Sequence, residues 1–589
     1  MDNKRIASIL NDISVYKDLN GENPFKVKAF SQAARTLERL DISAEELVNK
    51  DKLTDIKGIG KQIESVVREI VKTGESSLLK ELKKSFPDTI EELFKIPGMG
   101  PKKVRAVWEK LGVASLGELE YACIENRLVS LDGFGQKSQD KILKAIEFVR
   151  QNSEMHLFPE VELIAGEVID ELKNSGMFKR IDIAGSLRRG KTVFKDIDIL
   201  LVPDEKYFKD SALSETVREK VKSLADSQDS IGIIGVGETK ISIRRYGLQI
   251  DFRLVKDLSY PSALQHFTGS REHNALLRRR AKGLGFKMNE YGVFSGDKRL
   301  SLKTEAEVYE SLNLKWIPPE IREGFGEIEA SENNALPALV EINDIRGMVH
   351  AHSTYSDGSS GIKELAEACV KLGYSYLCLS DHSRSAFYAG GLSEMDILRQ
   401  IEEIRGINLE FSPFKIFCGI ESDILPNGDL DYSNEILGKL DFVIGSIHSR
   451  LNMREKEATE RLLRAINNPN LTILGHISGR LLLSREGYPY NEEEILTAIK
   501  DNEVVLEHNC NPHRLDPDWE VLKRARERGI LISLNTDAHS IEGFSDIRYG
   551  VKMAKKAWLG RTDILNCKDT EAIDEFFRGR KKRKGIKDI

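Results

Sequence analysis

Three aspartates have the spacing that nucleotidyl transfer requires. Asp196 and Asp198 lie two residues apart in the run DIDILLV, so in a β-strand both side chains project from the same face. Asp251 lies in a second such run, QIDFRLV, and would join them from an adjacent strand. Two Mg²⁺ or Mn²⁺ ions held by three carboxylates would activate a 3′-hydroxyl and neutralise a leaving pyrophosphate. An isolated Asp-x-Asp is more often a turn, so the assignment depends on neighbouring residues.

A glycine-opened loop directly before these aspartates supports the same chemistry. Residues 185–190 read Gly-Ser-Leu-Arg-Arg-Gly and combine one hydroxyl with two guanidinium groups. Such a loop is suited to a triphosphate, because backbone N–H groups and planar cations both bind phosphate oxygens. The order of loop, paired aspartates and third aspartate is typical of nucleotidyltransferases, with or without a template.

Histidines concentrate in the second half of the chain. Eight of the eleven lie after residue 349, most of them at the ends of predicted strands. The candidate ligands at these ends are His350, His352, Asp357, Asp381, His382, Glu421, His448, His476, Glu507, Asn509, Asp537 and His539. This set offers donors for more than one Mn²⁺ or Zn²⁺ ion, which would activate water and clamp a phosphoester.

Two further polar residues of this region, His508 and Arg514, are not among the candidate ligands. His508 stands between Glu507 and Asn509, so strand alternation points its side chain away from the site. Arg514 is a candidate for substrate phosphate, and a surface salt bridge is nearly as good an interpretation.

Three short turns share a glycine–hydrophobic–glycine pattern: 57–61 (KGIGK), 97–101 (PGMGP) and 132–136 (DGFGQ). A Gly-x-Gly turn before a helix leaves N–H groups free to face a phosphate and lets a nucleic-acid backbone approach closely. One such turn is often an ordinary helix cap. Three between residues 57 and 136 indicate DNA binding without sequence readout.

The elements that must position these groups change along the chain. The first 150 residues are predicted to be helical and built from repeated hairpins. An α+β region follows from Ile181, and about residue 330 a stretch without periodicity reads as a linker. Apolar runs then alternate with helices. Seven predicted strands end at His352, His382, Glu421, His448, His476, Asn509 and Asp537, as expected for a site at the C-terminal face of a barrel.

The composition limits the class of protein. A chain of 589 residues with 40% hydrophobic and 31% charged residues requires several globular domains. No run approaches the roughly 20 apolar residues of a membrane span and no cleavable signal is visible, so we expect a cytoplasmic protein that does not bind membranes. The six cysteines form no CxxC pair and are expected to be reduced and buried. With a net charge of −6, DNA affinity must come from local basic patches, at 180–195 and 278–282.

The block 266–274 (HFTGSREHN), with Arg278 and the run GFKMNEYGVF, resembles the thumb of family X DNA polymerases. The glycine turns resemble their helix-hairpin-helix motifs. The resemblance implies Asp196, Asp198 and Asp251 as metal ligands, Gly185, Ser186 and Arg189 at the triphosphate, Phe267 and Gly269 at the sugar, Asn274 at the base and Arg278 at the template. It also implies Gly58, Gly60, Lys61, Gly98, Gly100 and Lys102 as DNA contacts.

The chain departs from that family at two positions. His266 stands where vertebrate relatives carry Tyr, which puts the usual discrimination against ribonucleotides in doubt. Several members carry a lysine that removes 5′-deoxyribose phosphate through a Schiff base, and Val66 occupies its place. Because that chemistry needs an amine, we expect no lyase activity by this route.

The order HxH, SDH, GIES, IHS, GH, LEHN and TDAH resembles the PHP (polymerase and histidinol phosphatase) domain. The resemblance implies one ion on His350, His352, Glu421 and Asp537, a second on Asp357, His382 and His476, and a third on Glu421, His448 and His539. Every expected ligand is present, so this copy is predicted to be catalytic.

Together the resemblances imply a multi-domain chain with an α-helical region, an α+β nucleotidyltransferase palm and thumb, and a (β/α)7 barrel. The implied domains are 1–80 helix-hairpin-helix, 81–155 fingers, 156–262 palm, 263–329 thumb, 330–342 linker, 343–575 PHP barrel and 576–589 basic tail. The tail is as well explained by solvation as by DNA contact.

Three functions remain open from the sequence. The first is a monomeric repair polymerase that fills gaps in primed or gapped DNA from deoxynucleoside triphosphates, with a barrel that trims 3′ ends and cuts at abasic sites. The second is a polymerase whose barrel hydrolyses a small phosphomonoester. The third is a scaffold that binds DNA ends. No protein partner can be predicted.

Overall fold

A computed structural model of the chain describes residues 3–38, 43–56, 58–96, 98–151, 155–209, 212–213, 215–225 and 232–586. The chain divides into two compact units, Met1–Arg150 and Gln151–Ile589. Among the described residues, none of the helices combines the length and the apolar character needed to cross a bilayer. All six cysteines are buried as free thiols.

The first unit is helical, as predicted. Its helices are α1 (Asn3–Leu19), α2 (Pro24–Glu38), α3 (Ala44–Asn49), α4 (Lys61–Thr73), α5 (Ser77–Lys83), α6 (Pro101–Leu111), α7 (Leu116–Ile124) and α8 (Gln136–Gln151). Helix α1 packs on α2, α5 and α6 around one continuous apolar core. The glycine turns lie directly before α4, α6 and α8, where they set the direction in which each helix begins.

The second unit begins with a sheet that carries the three aspartates. Its elements are β1 (His156–Leu157), α9 (Phe158–Asn174), β2 (Phe178–Ile183), α10 (Gly185–Arg188), β3 (Val193–Phe194), β4 (Asp196–Pro203), β5 (Phe208–Lys209), β6 (Ala212–Leu213), α11 (Glu215–Lys222), β7 (Ile233–Val236), β8 (Lys240–Arg245) and β9 (Leu248–Leu254). The main sheet has the order β2-β4-β9-β8-β7, and only β4 and β9 run parallel within it.

A smaller α+β region follows the sheet and contains the polymerase-like block. It comprises α12 (Tyr260–Thr268), α13 (Arg271–Gly283), β10 (Phe286–Asn289), β11 (Gly292–Ser295), β12 (Lys298–Arg299), α14 (Glu305–Glu310) and α15 (Glu327–Glu332). Its core is fixed by a buried ion network, because the fully buried Arg322 pairs with Glu305 at 2.6 Å. Helix α15 runs to Glu332, so it occupies the first three residues of the predicted linker.

The remainder is a β/α barrel. Its elements are β13 (Gly347–Ala351), α16 (Ile362–Lys371), β14 (Tyr376–Leu379), α17 (Glu394–Phe411), β15 (Lys415–Asp423), α18 (Asn434–Leu437), β16 (Phe442–Ser446), α19 (Glu455–Ile466), β17 (Ile473–Leu474), α20 (Glu492–Asp501), β18 (Val505–Asn509), α21 (Trp519–Glu527), β19 (Ile532–Asn535), α22 (Ile547–Lys556) and α23 (Thr570–Arg583).

The seven barrel strands are all parallel and follow one another in chain order. A bridge between Ala351 and Ala538 brings the last strand beside the first and nearly closes the barrel. The strands are buried on both faces, which explains why their sequences are continuous apolar runs that end on polar residues. The predicted order of helical, α+β and seven-stranded β/α regions is confirmed.

The prediction of a basic tail from residue 576 is wrong as far as Arg583, because α23 includes these residues. Phe577 is buried against Phe442 in the interior of the barrel. The Arg580 guanidinium is also buried and donates hydrogen bonds to the carbonyl oxygens of Glu503, Pro469 and Leu471. The run of basic residues therefore belongs to a helix, and this helix packs across the end of the barrel opposite the histidines.

Two candidate metal centres

Strand pairing brings the three aspartates together. In the parallel pair of β4 and β9, Asp198 lies directly opposite Asp251, and Asp196 precedes it on the same face. Gly185 closes the site from the loop side. Its φ is +62°, and a Cβ there would lie 2.3 Å from Asp198 Oδ2, so both conformation and space require glycine. The phosphate-binding type of loop thus contacts the carboxylates directly.

The charges of this site are unbalanced without a cation. Burial, and then the carboxylates of Asp196 and Asp251, raise the pKa of Asp198 to about 6. Burial and Asp251 also raise the pKa of Asp196. Like charges at short range disfavour ionisation, and a divalent cation would remove that penalty. An all-oxygen set of this kind fits Mg²⁺ or Mn²⁺.

Asp251 is stabilised by its own strand neighbours. Burial would raise the pKa of Asp251, but hydrogen bonds from Lys240, Ser242 and Gln249 outweigh burial and hold the pKa below its usual range. Lys240 Nζ lies 2.6 Å from Asp251 Oδ2. Sequence reasoning missed Lys240 and Ser242, although both alternate on β8 toward the aspartate face.

The predicted triphosphate residues differ in their exposure. Ser186 is half-buried in α10. Arg189 is buried, and it donates from Nε to Glu323 at 3.1 Å and from Nη1 to the Thr268 carbonyl at 2.8 Å. Two of its three guanidinium nitrogens are therefore committed inside the protein.

Arginines of the predicted basic patch at 180–195 are likewise paired with acidic residues. Arg180 pairs with Asp257 at 3.1 Å, and Arg188 forms a two-pronged pair with Glu305, 2.8 Å at each nitrogen. The patch is therefore weaker than its sequence indicates, since distant acidic residues neutralise much of it. In the second patch, Arg278 is exposed beside His266.

The sugar and base candidates cluster at the end of α12. The Phe267 ring packs edge-on to His266, and the guanidinium of Arg253 lies 4.8 Å above it. Asn274 is buried, and its amide donates to the His266 carbonyl at 2.7 Å. A Cβ on Gly269 would lie 2.7 Å from Asn274 Oδ1, so a side chain here would displace the Asn274 amide.

The first two glycine turns expose their glycines and bury the residue between them. Gly58 has φ +99° and Gly98 has φ +85°, a backbone region that favours glycine, while Ile59 and Met99 anchor the turns in the core. Gly60 and Gly100 cap helices α4 and α6 without a side-chain hydrogen bond, and Lys61 and Lys102 are exposed. Lys57 and Pro97 lie outside the described residues.

The barrel residues converge at the C-terminal ends of the strands. Three groups of side chains have ligand atoms close enough to share an ion: His350, His352 and Asp537; His352, Asp357, His382 and His539; and His382, Glu421 and His448. Glu421 lies at the centre of the whole set. Its carboxylate oxygens lie within 3.8 Å of nitrogens of five imidazoles, those of His350, His352, His382, His448 and His476.

Two of the predicted ligands lie nearest to residues other than the ion partners predicted for them. His539 lies with His352 and Asp357 instead of with His448, and His476 contacts Glu421 at 3.1 Å instead of joining Asp357. The order of the strands around the barrel explains both differences. Strand β19 is next to β13, which brings His539 beside His352, whereas β17 is next to β16, which brings His476 beside His448.

Carboxylates behind the ligands orient the imidazoles. Glu507 accepts a hydrogen bond from His350 Nδ1 at 2.7 Å and is itself bound by Asn535 at 2.6 Å. Asp423 does the same for His448 Nδ1. A partner on the second ring nitrogen leaves the first directed at the metal. Asp423 was missed, and its position two residues after Glu421 on the same strand is the signal that would have identified it.

Backbone strain and unsatisfied atoms both support metal binding here. His350 and Asp537 have φ of +65° and +51°, which is uncommon for residues other than glycine and clusters at functional sites. Within the described part of the chain, the buried atoms His352 Nδ1, His476 Nδ1 and Asp357 Oδ2 have no hydrogen-bond partner. A donor set of imidazoles and carboxylates with unsatisfied buried atoms fits Mn²⁺ or Zn²⁺.

The electrostatics of the centre point the same way. Burial disfavours a charged His350, but Glu507, Glu421 and Asp537 outweigh burial and raise the pKa of this imidazole well above its usual value. Burial would raise the pKa of Glu421, yet the surrounding histidines hold it well below its usual range. Positive charge is therefore favoured among these carboxylates, and bound metal ions would supply it.

His508 and Arg514 lie on opposite sides of the question of metal-site contact: His508 is turned away from the cluster and Arg514 reaches its edge. His508 faces away from the cluster, with Nδ1 3.1 Å from the Pro517 carbonyl, and burial followed by Arg480 lowers its pKa to about 4. Arg514 Nε lies 3.9 Å from Asp537 Oδ2, so its guanidinium reaches the edge of the metal ligands.

Four family models match the chain. They are a helix-hairpin-helix domain over residues 1–76, a SAM-like helix-hairpin-helix tandem over 90–147, the DNA polymerase beta thumb over 263–323 and the PHP domain over 349–511.

Similarity to whole proteins extends this result. The DNA polymerase/3′-5′ exonuclease PolX of Bacillus subtilis (strain 168) is 37% identical over 583 residues, which cover 98% of this chain and 100% of that protein. The chain belongs to the PHP-containing family X DNA polymerases. A probable phosphatase of Thermoanaerobacter sp. (strain X514) is 27% identical over 248 residues, 40% of this chain and 96% of the phosphatase. DNA polymerase lambda of Arabidopsis thaliana is 26% identical over 348 residues, 54% of this chain and 62% of the plant protein.

The similarity to PolX over nearly the whole chain, together with the thumb and PHP matches, shows an enzyme that combines a DNA polymerase with a 3′–5′ exonuclease. The lysine expected for removal of 5′-deoxyribose phosphate is replaced by Val66 in this chain. Val66 is buried in the core of the first unit, and its hydrocarbon side chain can form no Schiff base. Nearby Arg68 is engaged with Asp51 and Glu64.

Proposed function

We propose that this polymerase fills short gaps during DNA repair, of the base excision type, and that its barrel trims 3′ ends and cuts at abasic sites. The convergence of Asp196, Asp198 and Asp251 against the Gly185 turn carries the polymerase part of the proposal. We assign this work to five domains, at 1–80, 81–155, 156–262, 263–329 and 343–575. We place the enzyme in the cytoplasm, as a monomer.

In the palm, the three aspartates would hold two Mg²⁺ or Mn²⁺ ions. When bound, the ions would lower the cost of charge that develops on the 3′-oxygen and on the leaving pyrophosphate. Gly185 and Ser186 place backbone N–H groups and a hydroxyl where the triphosphate enters, beside Asp198. Phe267 and Gly269 form a surface for the sugar, with Asn274 behind it and Arg278 exposed toward the template strand.

In the barrel, the nine ligand residues would hold up to three Mn²⁺ or Zn²⁺ ions. When bound, such ions supply an activated water and neutralise the phosphodiester. Glu507 and Asp423 keep His350 and His448 in the required orientation. Arg514, at the edge of the cluster, would contact a substrate phosphate.

Gap recognition is assigned to the glycine turns. A Cβ on Gly60 or Gly100 would meet no atom of the protein within 4 Å, so only a bound DNA backbone would collide with it. We expect Gly60→Val to weaken binding of one-nucleotide-gapped DNA about tenfold, the cost of one lost charge-assisted hydrogen bond. The melting temperature should fall by only a few degrees, because valine is a poorer N-cap than glycine. Fluorescence anisotropy and gap-filling rates measure this.

Gly406→Val in α17 is the matched control, because that glycine also has open space at its Cβ. If Gly60→Val bound and filled gapped DNA like the wild type, the turn would not contact DNA.

A second candidate function for the barrel is hydrolysis of a small phosphomonoester. The similarity to probable phosphatases, which extends over 30% to 40% of this chain, favours it. An aromatic residue beside the metal centre favours DNA instead. The Phe387 side chain is 79% exposed, and its ring packs against Tyr388, whose ring centroid lies 6.5 Å from that of His382.

The loop that carries Phe387 is firmly held. Ser385 binds the Asp431 carboxylate through its backbone N–H at 2.7 Å and its hydroxyl at 2.6 Å. The Arg384 N–H donates to the Tyr432 hydroxyl at 3.0 Å. An exposed aromatic on a rigid loop is a suitable stacking platform for a nucleobase, and a small sugar phosphate has no group that requires one.

Phe387→Ala is therefore expected to raise KM for 3′–5′ digestion of single-stranded DNA about tenfold, since stacking contributes roughly 1–3 kcal/mol per base. Hydrolysis of bis(p-nitrophenyl) phosphate should not change. Leu409→Ala is the control, because Leu409 is 86% exposed on the outer helix α17. Equal loss on both substrates, or competition for the site by a sugar phosphate but not by single-stranded DNA, would support the phosphomonoester function.

A further inference from the structure

A buried lysine of the barrel reaches the polymerase half of the second unit. Lys556, the last residue of α22, is 2% exposed, and its Nζ binds the Glu323 carboxylate. The same ammonium lies 3.3 Å from the Arg189 carbonyl oxygen and 3.5 Å from that of Glu320. All three acceptors belong to the palm and thumb, so this barrel side chain has its polar contacts outside the barrel.

Glu323 is shared between two cations. Its Oε1 accepts from Arg189 Nε at 3.1 Å and also from Lys556. Arg189 is further fixed by its bond to the Thr268 carbonyl. Among the described residues, nothing accepts a hydrogen bond from Arg189 Nη2, which leaves this edge of the guanidinium uncommitted. Buried charges are costly unless each is paired, so the three groups determine one another's positions.

The backbone of the triphosphate loop also lies against α22. A Cβ on Gly190 would lie 3.8 Å from Lys552 Cβ and from Met553 Cε. Met553 and Tyr549 of the same helix are members of the apolar core beneath the aspartate-bearing sheet. Helix α22 thus supports the loop through packing as well as through charge.

We infer that Lys556 is a positioning residue for nucleotide addition: by sharing Glu323 it holds Arg189 in the orientation that presents Nη2 to the incoming triphosphate. The inference rests on the proposed role of Arg189. Without Lys556, the Glu323 charge would act on Arg189 alone and draw the guanidinium away from an anionic ligand. The barrel is then a working part of the polymerase site, in addition to carrying its own chemistry.

Lys556→Met tests this in the full-length enzyme. We expect KM for the correct nucleotide in single-nucleotide gap filling to rise about tenfold or more, the usual range for a residue that orients another. The value of kcat and the 3′–5′ digestion of single-stranded DNA should stay near wild type. Lys556→Arg, which keeps the charge, should restore most of the nucleotide affinity.

Lys555→Met is the matched control, because Lys555 lies next on the same helix and pairs with Glu341 at 2.6 Å, away from the loop. The inference is overturned if Lys556→Met leaves KM for the nucleotide unchanged. It is also overturned if KM, exonuclease activity and melting temperature all change together, since Lys556 would then only stabilise the fold. Absence of gap filling by the wild type would refute the proposed function itself, a result distinct from either.

Discussion

Asp198→Asn is expected to reduce primer extension by about 10³-fold or more while leaving the shortening of 3′ ends unchanged. Asp198 is the central carboxylate of the palm, opposite Asp251 and in contact with the Gly185 turn. An amide is nearly the same size but carries no charge, so the site would lose several kcal/mol of metal and transition-state stabilisation. Steady-state incorporation of one labelled nucleotide into a one-nucleotide gap measures the loss.

Asp170→Asn is the control for this prediction, because Asp170 is 74% exposed on α9 and makes only a long ion pair with Lys173. Extension by Asp198→Asn at more than a tenth of the wild-type rate, with the wild-type melting temperature, would show that polymerisation does not depend on this carboxylate.

The second large effect is expected for Glu421→Gln in the barrel. Five imidazoles surround this carboxylate within 3.8 Å, and its pKa is held well below the usual range. Glu421 forms one possible metal site with His382 and His448. Its replacement by an amide would remove the negative charge of that site, which the neighbouring histidines also contact. We expect 3′–5′ digestion of single-stranded DNA to fall about 10³-fold or more, because the metal ions supply several kcal/mol of charge stabilisation.

Metal content gives a second readout for the same variant, and elemental analysis should show fewer ions per chain than in the wild type. Glu435→Gln on α18 is the control, since its side chain is 77% exposed. If Glu421→Gln kept wild-type digestion and metal content, the barrel centre would not be the exonuclease site.

Much of this arrangement could be predicted because it follows from local rules. Alternation along a strand places Asp196 and Asp198 on one face, and the same rule turns His508 away from the barrel site. Parallel strands present their C-terminal ends at one edge, so residues that end separate apolar runs must converge there. These rules need only the sequence within each strand.

The rest depends on which elements become neighbours. The neighbours of His476 and His539 differ from the predicted ion partners because they follow from strand order, since β17 lies beside β16 and β19 beside β13. Arg189 was expected to be available to a triphosphate, yet most of its hydrogen bonds are made with residues about 80 and 134 positions away, Thr268 and Glu323. Long-range ion pairs of this kind leave no periodic signal in the sequence.

The last helix illustrates the same limit. The cluster of lysines and arginines after residue 576 predicts a basic tail, either solvated or in contact with DNA, but Phe577 and Arg580 face inward at helical spacing. These two buried residues are surrounded in the sequence by charged ones. Only their contacts with the barrel show that they are buried.

We propose that one chain carries two separate metal-dependent sites that act on DNA ends. The most direct measurement incubates a 5′-labelled primer at a one-nucleotide gap with Mn²⁺, with and without nucleotides, using wild type, Asp198→Asn and Glu421→Gln. We expect extension to disappear only in the aspartate variant and primer shortening only in the glutamate variant. Loss of both activities in either single variant, or undiminished shortening in Glu421→Gln, would contradict the proposal.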